Sequence, residues 1–243
     1  MLGEPIPIEP SLGLVGIGAG LAVGIAGMGA GMGVGIVGAA GSGLISEDPD
    51  KFGKALVFQA LPQTQAIYGL LIAILLLIFS GLLGGNKTLD LGLGLVGVGA
   101  GLAVGIAGLS SIGQGIAAAS GVTTIAEDEG MFGKSMVFSV LPETQAIYGL
   151  LIAILLMVFS GMLAGDANMS GGMGIAAVGA GLAIGIAGLS GMGQGITSGS
   201  AIAAVTKREE VFGKGMIFSV MPETFAIFGL LIAIFIIVFF GFM

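Results

Sequence analysis

The sequence contains no cysteine, no histidine and no tryptophan, and only 9% of its 243 residues are charged. Without cysteine there is no disulfide framework and no thiolate chemistry, and without histidine the usual transition-metal ligand and neutral-pH base are missing. Most classes of enzyme are therefore disfavoured. The formal net charge of −7 is spread along the chain and not gathered in a tail, so it indicates no charged partner and no nucleic acid.

Apolar residues and glycine dominate the rest of the chain. Hydrophobic residues make up 56% of it, glycine contributes 49 residues, and the mean hydropathy is +1.13. A chain of this composition cannot cover its surface with polar side chains, so its solvent is a lipid bilayer. The sequence therefore predicts a membrane protein with no separate soluble domain.

The chain repeats itself at a spacing of about eighty residues. The landmark Phe52-Gly53-Lys54 returns at 132–134 and 212–214. Each repeat holds a glycine-rich apolar segment, a short charged loop and a second apolar segment rich in Leu, Ile and Phe. At ~1.5 Å per residue, every apolar segment is long enough to span a ~30 Å hydrocarbon core. The predicted fold class is an all-α membrane protein whose six transmembrane helices lie at 11–42, 53–84, 92–123, 132–164, 172–203 and 212–242.

These helices form three tandem helical hairpins, placed at 11–84, 91–164 and 171–243, after an extended N-terminal tail at 1–10. Six of the seven cations lie in or beside the loops within the hairpins. By the positive-inside rule, these loops face the cytoplasm and both termini face outward. The chain is thus predicted to be a multi-pass protein of the cell membrane.

Glycines in the first helix of each repeat follow a regular spacing. In the first repeat they advance by three or four residues from Gly13 to Gly38, and shorter runs begin at Gly94 and Gly181. Small residues on one face allow membrane helices to approach each other closely. The pattern predicts an inner ring of tightly packed first helices, with the bulkier second helices outside it.

An ionisable carboxylate interrupts the second apolar segment of two repeats. Glu143 lies in the block LPETQAIYG at 141–149, and Glu223 lies in the matching block of the third repeat, whereas the first repeat has Gln63. A charged side chain at the centre of a bilayer costs at least about 2.5 kcal/mol. We therefore interpret these blocks as functional sites, the first of which has lost its charge.

Each second helix provides two half-sites. At 100° per residue, Gln145 lies about 200° around the helix from Glu143, so the two side chains face different neighbours. Tyr148 lies about 60° from Gln145 and shares its side. The first helices of the second and third repeats each add one buried amide, Gln114 and Gln194.

The positions lost from individual repeats indicate how the half-sites pair. If each repeat built its own site, two of the three sites would lack residues. Pairing each Glu and first-helix Gln with the Thr, Gln and Tyr of the preceding repeat leaves two sites complete. All losses then fall at one junction, between the third repeat of one chain and the first repeat of the next: Val34, Gln63, Phe225 and Phe228. A head-to-tail contact that joins last repeat to first implies a closed ring of copies.

The hairpins, the PETQAIYG-like block and the Gln-Gly of the first helix resemble the rotor-ring proteolipid, known as the K or c subunit, of archaeal A-type and vacuolar-type ATP synthases, in a triplicated form. The resemblance implies a homo-oligomeric ring in the lipid membrane that carries ions on Glu143 and Glu223 past a stator half-channel subunit. It also implies a central stalk that touches the cytoplasmic loops. The chain itself is expected to be a non-catalytic subunit with no active site of its own.

In sodium-binding members of this family, five groups hold the ion: a carboxylate, a first-helix Gln, a Thr hydroxyl, a Gln amide and the carbonyl of the Leu before Pro. A Tyr braces the carboxylate. The resemblance therefore implies one site made of Glu143, Gln114, Thr64, Gln65 and Leu61, supported by Tyr68. It implies a second site made of Glu223, Gln194, Thr144, Gln145 and Leu141, supported by Tyr148. The third site, which has Gln63 in place of the carboxylate, is expected to be silent.

The number of oxygen atoms at each site favours Na⁺. A hard cation takes several oxygen ligands, while a proton needs only the carboxylate and one acceptor. H⁺ is the alternative, because Thr and Gln can equally hydrogen-bond a protonated Glu. A non-rotary channel or structural membrane oligomer is the alternative from another class. Each site has a single polar layer, whereas a conducting pore needs polar residues at several depths, so a rotor that carries ions is favoured.

Overall fold

A computed structural model describes residues 9–85, 88–165 and 169–242. All regular structure in these ranges is helical, which confirms the all-α fold class. Six helices are long and apolar enough to cross a membrane, as predicted: α1 (Pro10–Glu47), α2 (Pro49–Phe79), α3 (Leu91–Glu127), α4 (Glu129–Phe159), α5 (Gly171–Lys207) and α6 (Glu209–Phe239). Of the predicted tail at 1–10, residues 1–8 lie outside the described residues.

The predicted C-terminal ends of five helices are wrong by four or five residues. The first helices continue to Glu47, Glu127 and Lys207, past the predicted ends at 42, 123 and 203. The first two second helices end at Phe79 and Phe159 instead of 84 and 164. Glycines at 81, 85, 161 and 165 then adopt φ between 75° and 79°, a left-handed conformation that ends helices and that glycine adopts without strain.

Each second helix is interrupted near its middle. The interruptions are the 3₁₀ turns Leu61–Gln63 and Leu141–Glu143 and a turn at 221–222. A proline lies in each of them, and because proline has no N–H it cannot continue the α-helical hydrogen bonding. The α-helical segments on either side are Phe52–Ala60 and Thr64–Phe79, Phe132–Val140 and Thr144–Phe159, and Phe212–Val220 and Glu223–Phe239. The proline turns place the carboxylate block at mid-helix.

The first helices of hairpins 2 and 3 also contain a break, which sequence analysis did not anticipate. Helix α3 consists of Leu91–Ala107 and Ser110–Glu127, and α5 consists of Gly171–Gly188 and Ser190–Lys207, whereas α1 is continuous. At the break in α3, Leu109 N donates to Ile106 O (3.0 Å) and Ser111 N donates to Gly108 O (3.2 Å). These i→i−3 bonds form a tighter, overwound turn.

The three first helices lie side by side, with α3 between α1 and α5. Each second helix lies against the first helix of its own hairpin, and α2 and α4 also contact the first helix of the next hairpin. Glycine makes the close approach possible. A Cβ at Gly105 would lie 2.5 Å from the carbonyl oxygen of Leu21, and one at Gly185 would lie 2.8 Å from that of Leu102. Larger residues would push the helices apart.

The glycine stripe of α1 faces away from the rest of the chain. Gly24 occupies the position of Gly105 and Gly185, yet a Cβ there would meet no other atom of the described chain within 4 Å. The same is true of the other stripe positions from Gly13 to Gly35. The stripes of α3 and α5 pack against the preceding hairpin, whereas no described residue packs against the stripe of α1.

Candidate functional site

Glu143 lies at the end of the proline turn in α4 and accepts hydrogen bonds from two neighbouring helices. The hydroxyl of Tyr68, on α2, donates to one carboxylate oxygen of Glu143 at 2.6 Å. The side-chain amide of Gln114, on α3, donates to the other at 3.3 Å. The amide of Gln65 in turn donates to Gln114 Oε1 at 2.9 Å. The carboxylate of hairpin 2 is thus held by hairpin 1 on one side and by its own first helix on the other.

Two further groups that the resemblance assigns to the first site, a hydroxyl and a main-chain carbonyl, lie at the proline turn of α2. The hydroxyl of Thr64 donates to the carbonyl oxygen of Leu61 at 2.9 Å, next to Gln65 in the chain. The proline turn therefore brings a hydroxyl oxygen and a main-chain carbonyl together one residue away from the buried amide. Four of the six residues assigned to the first site are linked by hydrogen bonds, and Thr64 and Leu61 are bonded only to each other.

The second site repeats this arrangement between hairpins 2 and 3. Tyr148 donates to Glu223 at 2.7 Å, and Gln194 donates to the other carboxylate oxygen at 3.3 Å. Gln145 donates to Gln194 Oε1 at 2.7 Å. The hydroxyl of Thr144 lies 3.0 Å from the carbonyl oxygen of Leu141 and 3.2 Å from Gln145 Oε1.

Both carboxylates are held by neutral groups. The four Gln side chains that connect to them are fully buried, and the carboxylates themselves are half-buried. Among the residues described, neither Glu143 nor Glu223 forms a salt bridge. A charge at membrane depth with only neutral hydrogen-bond donors is costly, and a proton or a cation bound there would neutralise it. The oxygen-rich surroundings suit either species.

The four residues expected at the silent junction lie at the two open ends of the chain. Gln63 is exposed and Val34 is half-buried on hairpin 1, while Phe225 and Phe228 are exposed on hairpin 3. The two phenylalanine rings contact each other edge-on, with centroids 6.2 Å apart. Within one chain, the pair on hairpin 1 does not contact the pair on hairpin 3.

One polar residue of the first site was not predicted from the sequence. Ser110 is fully buried at the start of the second segment of α3, and its hydroxyl donates to Gln65 Oε1 at 2.8 Å. Ser190 has the corresponding position in α5, while α1 has only Gly29 and Ala30 there. The signal was available, because a hydroxyl is present in the two repeats that carry Glu and absent from the repeat that does not.

Comparison with known proteins gives the family. The family model described as the ATP synthase C subunit matches residues 17–76, 98–156 and 178–236, one match for each hairpin. The A-type ATP synthase subunit K of Methanocaldococcus jannaschii is 59% identical over 227 residues, which cover 93% of this chain and 96% of the relative.

Two shorter relatives carry the name of an ion. The V-type sodium ATPase subunit K of Enterococcus hirae is 39% identical over 118 residues, which cover 48% of this chain and 72% of that protein. The 16 kDa proteolipid of the V-type proton ATPase of Nephrops norvegicus is 32% identical over 109 residues, covering 44% and 67%. Similar chains are thus named for two different ions.

Proposed function

Because the chain belongs to the family of ATP synthase C subunits, as a proteolipid of the A/V type, we propose that its copies close into a membrane rotor ring. The ring carries Na⁺ on Glu143 and Glu223 and couples this transport to rotation. The observation that carries the proposal is that each carboxylate is held between two successive hairpins, so that a hairpin builds a site only with its neighbour.

The glycine face of α1, against which no described residue packs, supports ring closure. The stripes of α3 and α5 each pack closely on a preceding first helix, as Gly105 does on Leu21 and Gly185 on Leu102. By the same relation, Gly24 would pack on Leu182 of a preceding copy. Leu182 is exposed in the single chain. A head-to-tail contact of this kind closes into a ring when each copy is rotated by the same angle.

A series of phenylalanines supports the same junction. Phe58 is fully buried, with its ring 2.5 Å from where a Cβ of Gly121 would lie, and Phe138 is fully buried against the next hairpin. The third member, Phe218, is 65% exposed beside an open apolar cleft of about 670 Å³. Gly41 has the position of Gly121 on hairpin 1, and no residue of another hairpin lies within 4 Å of a Cβ there. A second copy of this chain therefore fits the cleft.

Closure would give two ion sites for every three hairpins. The chain junction would bring Gln63 and Val34 of one copy against Phe225 and Phe228 of another, and these residues offer an ion no carboxylate. Each chain would then carry two ions per turn of the ring. In a ring with the same number of hairpins and a carboxylate in each, every three hairpins would carry three ions per turn.

Na⁺ is favoured over H⁺ by the number of oxygen atoms. Carboxylate and amide oxygens are linked at each site, and the hydroxyl and carbonyl of the proline turn belong to the residues next to the buried amide. Several oxygens are what a hard cation takes. The similarity to a relative named as part of a sodium ATPase agrees with this proposal. H⁺ is the second candidate, since every one of these groups can also hydrogen-bond a protonated carboxyl and another relative is named for the proton.

The proposed partners follow from the rotor role. A stator half-channel subunit would exchange ions with the ring, and central-stalk subunits would attach at the hairpin loops. These loops carry most of the cations, and the positive-inside rule places them in the cytoplasm of a cell whose membrane the ring crosses, with both termini outside. A channel or a purely structural oligomer is less well supported, because each hairpin pair has one polar layer between apolar ones.

Labelling with a carboxyl-directed carbodiimide tests the ion-carrying role. The reagent attacks a protonated carboxyl and not one whose oxygens are occupied by a cation, so Glu143 and Glu223 should both react. At slightly acid pH, Na⁺ should slow labelling of both, while K⁺ at the same ionic strength should not. If Na⁺ gives no protection at any pH, H⁺ becomes the transported ion. If neither residue reacts, the ion-carrying role fails.

A further inference from the structure

The hydroxyl of Ser110 begins a chain of hydrogen bonds that ends on the carboxylate. Ser110 donates to Gln65 Oε1 at 2.8 Å, Gln65 donates to Gln114 Oε1 at 2.9 Å, and Gln114 donates to Glu143 at 3.3 Å. Ser110, Gln65 and Gln114 are all fully buried. The first two links therefore join fully buried groups, the third ends on the half-buried carboxylate, and all three pass from one side chain to the next in a single direction.

The direction of this chain is fixed at one end by the acceptor carboxylate and at the other end by the serine donor. A side-chain amide accepts only at its oxygen and donates only at its NH₂ group. A hydroxyl that donates to the Gln65 oxygen therefore fixes the NH₂ group of Gln65 on Gln114, and this in turn directs the NH₂ group of Gln114 to Glu143. Without the hydroxyl, the buried oxygen of Gln65 loses its donor, and a buried acceptor without a partner is costly.

The second site shows a different donor at the same place. The single proton of the Thr144 hydroxyl can go to Leu141 O at 3.0 Å or to Gln145 Oε1 at 3.2 Å, while the hydroxyl of Ser190 is buried and has no hydrogen-bond partner among the residues described. The next residue in the chain, Gly191, lies close to the amide, because a Cβ there would be 3.3 Å from Gln145 Cδ. A serine hydroxyl thus contacts the Gln oxygen at the first site and a threonine hydroxyl contacts the corresponding oxygen at the second.

The serine occurs only in the two hairpins that also carry the first-helix Gln and the Glu of a site. Hairpins 2 and 3 have Ser110 and Ser190 directly after the overwound turn, and both have the first-helix Gln and the Glu. Hairpin 1 has none of these groups. It also has one more residue in this stretch, since Ala26 and Val34 are eight positions apart while Ala107 and Gln114 are seven apart. The overwound turn compensates for the missing residue and presents the serine to the site.

We propose that Ser110 and Ser190 are positioning residues of the two ion sites. Each hydroxyl holds the amide oxygen of the preceding hairpin's Gln, so that the neighbouring Thr hydroxyl is released to turn its oxygen to the ion. Site 1 shows the serine as donor, and site 2 shows the threonine in its place. This inference rests on the proposed ion-carrying role of Glu143 and Glu223.

Site-resolved carbodiimide labelling of the intact ring tests the proposal, because the two carboxylates of one chain serve as internal references. Ser110→Ala should raise the Na⁺ concentration that half-protects Glu143 by about twofold to tenfold, the range expected for one net hydrogen bond, and leave Glu223 unchanged. Ser110→Thr, which keeps a hydroxyl, should restore protection. Ser190→Ala should affect Glu223 alone, which gives a second reading if a variant at Ser110 does not fold.

The matched control is Ser111→Ala. Ser111 is equally buried in the same turn, but its hydroxyl donates to its own helix, at Gly108 O (2.7 Å), and not to the site. If Ser110→Ala behaves like Ser111→Ala, or shifts both carboxylates equally, the positioning role is refuted. If Na⁺ protects neither carboxylate in the unmodified ring, the sodium proposal fails separately. The ratio of labelling rates of Glu143 and Glu223 in Na⁺-free buffer then decides: a change specific to Ser110→Ala supports the positioning role, and no change refutes it.

Discussion

Gly24→Ala separates the packing of the chain from the closure of the ring. Gly24 has open space around it within one chain, whereas Gly105 and Gly185, its counterparts, lie against carbonyl oxygens. The substitution should therefore leave a single chain folded, and its helix content should not fall, because alanine is a better helix former than glycine. Between copies, the added methyl group should meet the carbonyl oxygen of a partner's Leu182.

The size of the effect follows from the internal contacts. An ordinary contact of a Cβ begins at 3.4 Å, so alanine would force the helices apart by roughly 0.9 Å at Gly105 and roughly 0.6 Å at Gly185. Overpacking of this kind costs about 1–3 kcal/mol, which is about fivefold to more than a hundredfold in the association constant of each junction. Gly105→Ala should have its effect within the chain and lower the chain's own stability.

The assay is native mass spectrometry of the ring in mild detergent, with helix content measured by circular dichroism. Gly53→Ala is the control, because a Cβ has open space at Gly53 and at the corresponding Gly133 and Gly213. Gly24→Ala should shift mass from ring to single chains, and Gly53→Ala should not. A Gly24→Ala ring as stable as the Gly53→Ala ring would refute closure through this face, as would a stable single chain of the unmodified protein.

Four further substitutions test the junction and the sites. Phe218→Ala should destabilise the ring by about 3–5 kcal/mol per junction, although Phe218 is exposed in one chain, while Phe138→Ala should destabilise the chain; an unchanged ring in the first variant contradicts the junction. Gln63→Glu should still bind two ions per chain, because Val34 and two phenylalanines offer the new carboxylate no ligands; three ions counted by ²²Na⁺ binding would show that assignment to be wrong. Glu143→Gln should abolish carbodiimide labelling in hairpin 2 and leave labelling of hairpin 3 intact, as peptide mass spectrometry would report.

The number and type of the helices could be predicted from the sequence because long apolar segments at a fixed repeat leave little choice in a bilayer. The helix ends could not. The first helices extend past the predicted boundary through the start of the charged loops, for example to Glu47, and the second helices end early where Gly81 takes a left-handed φ of 76°. Hydropathy does not record either effect.

The residues around each carboxylate were predicted from differences between copies and from the family resemblance. Ser110 was missed because its role depends on an overwound turn in α3, and neither the turn nor the contact with Gln65 follows from apolar periodicity. The glycine stripe was recognised, but its sequence pattern is the same whether it packs within the chain or faces open space. Only the position of hairpin 1 at the end of the row distinguishes Gly24 from Gly105.

The most direct test of the account is the effect of Gln65→Ala on the two carboxylates. The central claim is that each site is built between a hairpin and the one before it, and Gln65 belongs to hairpin 1 while its hydrogen-bond partners lie in hairpin 2. In the carbodiimide assay, Gln65→Ala should weaken Na⁺ protection of Glu143 and leave protection of Glu223 unchanged. If it weakens protection of Glu223 alone, the pairing of hairpins is reversed and the account is contradicted.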